Sequence, residues 1–324
     1  MMNQLLSKDS KGPIGLIVSV IVLIVIFSFL NPRFASIENV RNVLFQSSVP
    51  LIIVVGATLV ILMGSIDLSV QGVMGAAGMA WILISPNSRT GVDLGVWAWV
   101  IALASGVLLG LFSGIIYDRL KVPSFVATLG TWYVALGIGI MLYGDGLLPS
   151  LTNETTARWP TRLTIGLPNS FWLAAWVVLA GVLILQYTRF GRGLLAIGNS
   201  EPIALSSGIR VSRYKIMALS IAGGLSGLAG ILATMQLGSG SSDIGSTQLF
   251  TVIPAAVIGG TTLSGGEGGV LRSALGVFLL VILNNGLVLA GISPNYQQGV
   301  FGLILIIAIV AVALPHRNRL KVAK

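Results

Sequence analysis

The spacing of long apolar segments is the feature that most constrains how this chain can fold. About 20 apolar residues are needed for one helical crossing of a bilayer, and windows of that length identify ten candidate crossings. They lie near residues 14–30, 50–64, 68–84, 96–116, 125–143, 171–188, 214–236, 249–263, 271–290 and 297–314. Backbone in lipid must satisfy its own hydrogen bonds. The pattern therefore predicts an all-α integral membrane protein with about ten transmembrane helices.

Positive charge is distributed unevenly between the gaps that separate these segments. If the gaps are numbered alternately, with both termini on one face, 14 of the 19 lysines and arginines fall on that face. The opposite face holds only Arg33, Arg41, Arg89, Arg158 and Arg162. Short loops rich in Lys and Arg stay cytoplasmic, so both termini are predicted to be cytoplasmic. One crossing more or fewer in the middle would remove the bias, which favours ten over nine or eleven.

Composition supports a membrane location and excludes several functional classes. Only 9% of residues are charged, whereas soluble domains carry about 25%. The net charge of +9 does not indicate nucleic acid binding, because the basic residues flank apolar segments. With one histidine and no cysteine, a zinc site is not expected, and a thiol nucleophile, a metalloprotease and a serine–histidine hydrolase are excluded. The first apolar segment lacks a small-residue cleavage site and is predicted to be retained.

The organisation is that of one integral membrane domain spanning residues 1–324. The longest polar gaps are 144–170, predicted outside, and 189–213, predicted inside, and both are too short to bury a core. Residues 33–48 are predicted to form an amphipathic helix along the outer membrane surface, capped by Ser36. Its apolar face consists of Phe34, Ile37, Val40 and Leu44.

Small residues recur every three or four positions in two of the predicted crossings. Such stripes let helix backbones approach closely, so they predict tight packing. The residues are Gly106, Gly110 and Gly114 in one segment and Gly223, Ser226, Gly227 and Gly230 in the other.

Two of the crossings are predicted to be interrupted. The second runs into the polar stretch 64–69, and the eighth contains Pro254 and ends in the glycine-rich stretch 259–266. Short segments broken by Gly or Pro in two places often line a transport path. Simple tight turns are an equally good account.

A few polar residues within or beside the apolar segments are candidates for a translocation path. Asp67 is the one acid closely bracketed by two apolar segments, where an ionisable group suggests function. It can instead cap a helix that begins at Leu68. For Asn284 and Asn285, interhelical hydrogen bonding and path lining are both open. Ser69 and Gln297 complete the candidate set.

The cytoplasmic gap 189–213 contains the signals of a short helix. Asn199 or Ser200 can cap it, Pro202 suits its first turn, and Gly208 suits its end. A short capped helix held by a rigid bundle could insert into a partner's groove, or it could be an ordinary connector.

The sequence offers no energy source of its own. No lysine follows a glycine, so there is no phosphate-binding Gly-Lys-Ser/Thr loop. Buried acids and histidines, which usually couple transport to protons or sodium ions, are almost absent. Energy must come from another protein, or transport is passive.

Several motifs, taken in order, resemble the membrane subunits of bacterial ABC importers of the ribose, galactose and xylose type. The resemblance covers roughly residues 15–314. The matching stretches are Gly64 to Val70, Val122 to Gly130, Gly191-Arg192, Ala196 to Asn199, Val257 to Gly266, Asn284 to Leu287 and Gln297-Gln298.

This resemblance implies a permease core of two identical or related subunits. Two ATP-binding cassette subunits, or one fused ATPase, would supply the energy, and an extracytoplasmic binding protein would deliver the sugar. The chain itself would bind no cofactor. The cargo implied is a monosaccharide or related polyol. The alternatives are a nucleoside, a furanose-type signal or a branched amino acid, or, in another class, a secondary transporter or channel.

The resemblance also implies that the segment from Glu201 to Gly208 docks on the ATPase. Arg192, Gly198 and Asn199 would belong to the same coupling loop. The chain departs from the family there, because the usual Glu-Ala-Ala is replaced by Glu201-Pro202-Ile203, with one extra residue before Gly208. The usual Gly-Gly before Ile66 is replaced by Gly64-Ser65.

Overall fold

A computed structural model describes residues 11–293, 296, 299–300, 302–303 and 306. The described part is almost entirely helical, as the apolar segments predict. Its elements are α1 (Lys11–Leu30), a 3-10 helix (Pro32–Ala35), α2 (Ile37–Leu62), α3 (Val70–Leu83), α4 (Val96–Arg119), α5 (Ser124–Tyr143), α6 (Glu154–Arg158), β1 (Leu163–Thr164), β2 (Leu167–Pro168), α7 (Asn169–Tyr187), α8 (Arg189–Asn199), α9 (Glu201–Ser206), α10 (Val211–Leu237), α11 (Gln248–Ile258) and α12 (Val270–Leu289).

Six of these helices are long and apolar enough to cross a membrane, namely α2, α4, α5, α7, α10 and α12. The segment Gly15–Leu30 of α1, together with α3 and α11, forms shorter apolar helices. Within the described part of the chain, each of the first nine predicted crossings coincides with one apolar helix. The tenth, at 297–314, lies mostly outside the described residues, which include only five of its positions.

Helix α2 lies at the centre of the bundle. Its apolar window is 83% buried, whereas that of α7 is only 22% buried. It packs against α7, α10, α11 and α12, while α10 packs in turn against α3 and α4. The poorly buried helices carry apolar side chains on their outer faces, which is expected where lipid rather than water surrounds the protein.

The predicted glycine stripes hold α4 and α10 together. A Cβ atom added at Gly110 would lie 2.2 Å from the carbonyl oxygen of Leu219, and one at Gly223 would lie 2.4 Å from that of Gly106. Only residues without a side chain permit this approach, so the prediction of tight packing is confirmed.

Residues 33–48, predicted to form an amphipathic helix of their own, are α-helical from Ile37 onward but do not form a separate element. Ser36 does cap a helix, accepting a hydrogen bond from the backbone N–H of Asn39. That helix is α2, however, which continues for 26 residues through Pro50. Asn39 is buried, whereas Ile37 and Val40 are exposed, so the apolar pattern does not mark the buried face. The polar side chain turns inward because it finds partners there.

Both predicted interruptions are present. Helix α2 ends at Leu62 and α3 begins only at Val70, and α11 has 11 residues and stops at Ile258, before the predicted end at residue 263. Gly64 and Gly265 adopt φ of +78° and +84°, a left-handed conformation that favours glycine. The apolar segments are therefore broken by backbone that other residues would strain.

Candidate coupling and translocation site

The gap 189–213 contains two helices rather than one. The predicted short helix is α9, which starts after Ser200 in extended conformation, has Pro202 in its first turn, and is followed by Gly208 at φ +80°. The preceding α8 was not predicted. Its cap is Thr188, whose side chain accepts a hydrogen bond from the N–H of Gly191.

The glycines of α8 are required by its contacts. A Cβ atom at Gly191 would lie 2.2 Å from the carbonyl oxygen of Leu185, and one at Gly193 would lie 2.1 Å from the ring of Tyr214. Three glycines in 11 residues normally disfavour a helix. The glycines therefore made this segment look like a loop in the sequence, whereas in the structure tertiary packing outweighs their low helix propensity.

The end of α8 lies against both interrupted segments at once. A Cβ atom at Gly198 would lie 1.9 Å from the carbonyl oxygen of Leu62 and 2.3 Å from the backbone nitrogen of Gly266. The same nitrogen donates a 2.9 Å hydrogen bond to the Leu62 oxygen, joining the loop after α2 to the loop after α11. The Asn199 side-chain amide donates to Leu195 and, at 3.5 Å, to Gly266. We call this contact of Leu62, Gly198, Asn199, Gly265 and Gly266 the loop junction.

A second connection leads from α9 to the first interruption. Glu201 accepts a 2.7 Å hydrogen bond and ion pair from Lys215 of α10. The Lys215 ammonium lies 4.8 Å from the centre of the Tyr117 ring on α4. The Tyr117 hydroxyl in turn accepts a 2.9 Å hydrogen bond from Ser65. The sequence marks Glu201 but gives no sign of Lys215 and Tyr117, because their proximity arises only in the folded bundle.

The outer surface of the coupling segment is partly apolar. Ile203 and Leu205 on α9 are 66% and 55% exposed, while Ala204 between them is buried. Arg192 on α8 is also exposed, and its guanidinium forms no ion pair within the part of the chain that the structure describes. These side chains are free to contact another protein.

Asp67 and Ser69 form a local turn at the start of α3. One carboxylate oxygen of Asp67 accepts hydrogen bonds from the Ser69 N–H at 2.8 Å and from the Ser69 hydroxyl at 2.6 Å. The other oxygen has no hydrogen-bond partner among the described residues. Helix α3 begins at Val70, two residues later than predicted, and Asp67 supports its first turn from outside the helix. Both residues are buried.

The adjacent asparagines of α12 lie in different environments. Asn285 is buried and accepts a 3.0 Å hydrogen bond from Asn39 of α2. Asn284 is exposed and lines a cavity of about 140 Å³ that also involves α2 and α11. Gln297, the remaining candidate, lies outside the described residues.

Comparison with known proteins gives the family. A family model described as "Branched-chain amino acid transport system / permease component" matches residues 39–309, most of the chain. The chain belongs to this permease family. Taken together with the six long apolar helices, this membership makes it a multi-pass protein of the inner membrane.

Several relatives that match most of the chain are import permeases. The ribose import permease protein of Haemophilus influenzae is 36% identical over 300 residues, covering 91% of each chain. That of Bacillus subtilis is 37% identical over 302 residues, covering 92% of this chain and 91% of the relative. An autoinducer 2 import system permease protein of Escherichia coli is 31% identical over 302 residues, covering 93% and 87%. No solved structure matches the chain.

Proposed function

We propose that this chain is the permease subunit of an ATP-driven importer. Its cargo would be a monosaccharide or related polyol delivered by an extracytoplasmic binding protein. The ribose import relatives, which align with about nine tenths of the chain, support this cargo class. The absence of a phosphate-binding Gly-Lys motif from the sequence supports hydrolysis by a separate subunit, so ATP would be bound by the partner alone.

The loop junction is the observation that carries the proposal. An importer driven from the cytoplasm needs a segment that contacts both the ATPase and the moving part of the membrane domain. The segment α8–α9 would meet this need, since Gly198 touches the two interrupted segments and Glu201 is linked to Ser65 through Lys215 and Tyr117. Movement of α9 would displace both interruptions together.

The proposed docking surface is the exposed side of α9. Ile203 and Leu205 would enter a groove of the ATPase, with Arg192 beside them. Buried apolar anchors of this kind supply most of the binding energy at interfaces. Two cassette subunits, or one fused ATPase, would be engaged by two permease subunits, so that each permease presents one α9.

The proposed topology follows from the positive charges. The 14 lysines and arginines counted above favour a cytoplasmic position for α8, α9 and both termini, with ten crossings. The loop junction is then cytoplasmic, and the gap 144–170, with α6 and the β1–β2 pair, is extracellular.

A furanose-type signal is the second candidate cargo, since the autoinducer 2 import permeases are 30 to 31% identical. The ribose relatives are closer, at 35 to 37%. Both cargoes are small oxygen-rich molecules, so they make similar demands on the path.

The test is ATP-dependent uptake in proteoliposomes that contain the chain, its ATPase and its binding protein. We expect D-ribose uptake that stops when ATP is withdrawn. Uptake that persists without ATP would instead identify a secondary transporter or channel. Accumulation of autoinducer 2 but not of ribose would select the second cargo.

A further inference from the structure

The cavity beside Asn284 is lined by neutral hydrogen-bonding groups from three helices. Its polar residues are Gln46 of α2, Thr247, Gln248 and Thr251 at the start of α11, and Asn284 of α12. No residue that lines this cavity is charged. The polar residues come from segments far apart in sequence, so chance clustering within one loop does not explain them.

Several polar groups in the cavity are available to a ligand. Gln46 donates one hydrogen bond, to Asn42 at 3.2 Å, and its side-chain oxygen accepts none from the described residues. The side chains of Gln248 and Asn284 form no hydrogen bond with any part of the chain that the structure describes. Each carboxamide offers both a donor and an acceptor, a combination that matches a hydroxyl group.

Pro50 adds a backbone acceptor to the same place. Proline has no N–H, so the carbonyl oxygen of Gln46 lacks the donor that an α-helix normally gives it four residues later. Both residues line the cavity. Proline inside a helix is costly in isolation, and here it removes the usual donor to a carbonyl oxygen at a cavity lined by three carboxamide side chains.

We propose that this cavity is a binding station for a neutral polyhydroxylated solute on its way through the membrane. The inference deepens the proposed function, because it names the residues that contact the cargo. Hydroxyl groups would bond to the carboxamides and to the Gln46 carbonyl, and apolar carbon faces would lie on Pro50 and Leu280. A zwitterionic amino acid fits poorly, since burying its two charges without charged partners is expensive.

The exposure of Gln46, Thr247 and Asn284 leaves the cavity open on one side. The second permease subunit of the proposed complex would close it, so the station would lie between the two subunits. Asn285 has no part in it, because its side chain is committed to Asn39.

The chain has no cysteine, so each variant places a single thiol in it, and the complex with the unaltered chain measures any labelling of the partner subunits. The experiment compares Asn284→Cys and Gln248→Cys with Leu108→Cys, which lies on the exposed apolar face of α4. The assembled complex in lipid nanodiscs is treated with a charged thiol reagent. Thiols react as thiolates, which form in water and not in lipid, so we expect both cavity variants to react at least about tenfold faster than Leu108→Cys. Labelling of the cavity variants at the same rate as Leu108→Cys would overturn the proposal. If Asn284→Cys does not fold, the rate for Gln248→Cys alone gives the answer.

Contact with cargo is tested by D-ribose uptake in Asn284→Ala proteoliposomes. Loss of one or two hydrogen bonds to the cargo predicts uptake about three- to tenfold slower than wild type, with unchanged thermal stability. Unaltered uptake would overturn the contact. If the wild-type complex shows no ATP-dependent uptake of any monosaccharide, polyol or autoinducer 2, the proposed function fails, while thiol labelling still decides whether the cavity is a water-filled station.

Discussion

Replacing Gly198 with alanine tests whether the loop junction transmits the movement of α9. The added methyl group would lie 1.9 Å from the Leu62 oxygen and 2.3 Å from the Gly266 nitrogen, whereas real Cβ contacts essentially never fall below 3.0 Å. Both neighbours are backbone atoms, so no side chain can rotate to make room. The end of α8 must move away from the two loops by about 1 Å.

The magnitude follows from two opposing effects. Alanine is favoured over glycine in a helix by up to about 1 kcal/mol. Overpacking against fixed backbone costs about 1 to 3 kcal/mol, and occasionally more. The net loss of stability is therefore about 0 to 3 kcal/mol. The effect on coupling should exceed the effect on stability, because α8 loses its close contact with both interrupted segments.

The assay is substrate-stimulated ATP hydrolysis by the reconstituted complex, with thermal stability measured in parallel. We expect Gly198→Ala to retain basal hydrolysis and to lose most of its stimulation and uptake. The matched control is Gly130→Ala on α5, where an added Cβ meets nothing within 4 Å. It should behave as wild type or slightly more stable. Normal stimulation in Gly198→Ala would refute the coupling role of the junction.

Three further sets of variants test other contacts. Glu201→Lys should reduce stimulated hydrolysis, because the new lysine repels Lys215. Adding Lys215→Glu restores an ion pair of reversed polarity and should recover part of the stimulation, whereas no recovery would contradict a role for the ion pair. Asn39→Ala and Asn285→Ala should each lower thermal stability, with a double-mutant coupling of about 0.5 to 2 kcal/mol, whereas additive losses would exclude the hydrogen bond. Gly110→Ala should lower stability by about 1 to 3 kcal/mol by separating α4 from α10, and wild-type melting would contradict the packing.

The apolar segments could be predicted from sequence because crossing a membrane imposes a minimum length and a composition on each of them. Eight of the nine segments in the described part begin and end within about five residues of a helix. Helix α2 is the exception at its start, since Pro50 and the polar residues before it suggested a boundary. That boundary does not exist, because the bundle supplies Asn39 with partners from Phe34 and Asn285.

The candidate site could be predicted only in part, because tertiary contacts leave no local signal in the sequence. Local signals in capping and backbone conformation mark Glu201, Gly208 and the two interruptions. The structure confirms the short helix predicted before Gly208. By contrast, Lys215 and Tyr117 join Glu201 to Ser65 only through three-dimensional packing. Adjacent residues can also differ, as Asn284 and Asn285 do, because successive helical positions face about 100° apart.

The arrangement of three helices explains how the proposed docking and binding surfaces could communicate. Helices α2 and α11 end at the loop junction, α12 begins just after it, and the same three helices line the cavity beside Asn284. Along α2, Gln46 lies 16 residues from Leu62, or about 24 Å, which spans most of the bilayer core. Closely packed helices transmit displacement rather than absorb it. On the proposed mechanism, a shift at Gly198 would therefore alter the cavity without requiring any residue between them to change partners.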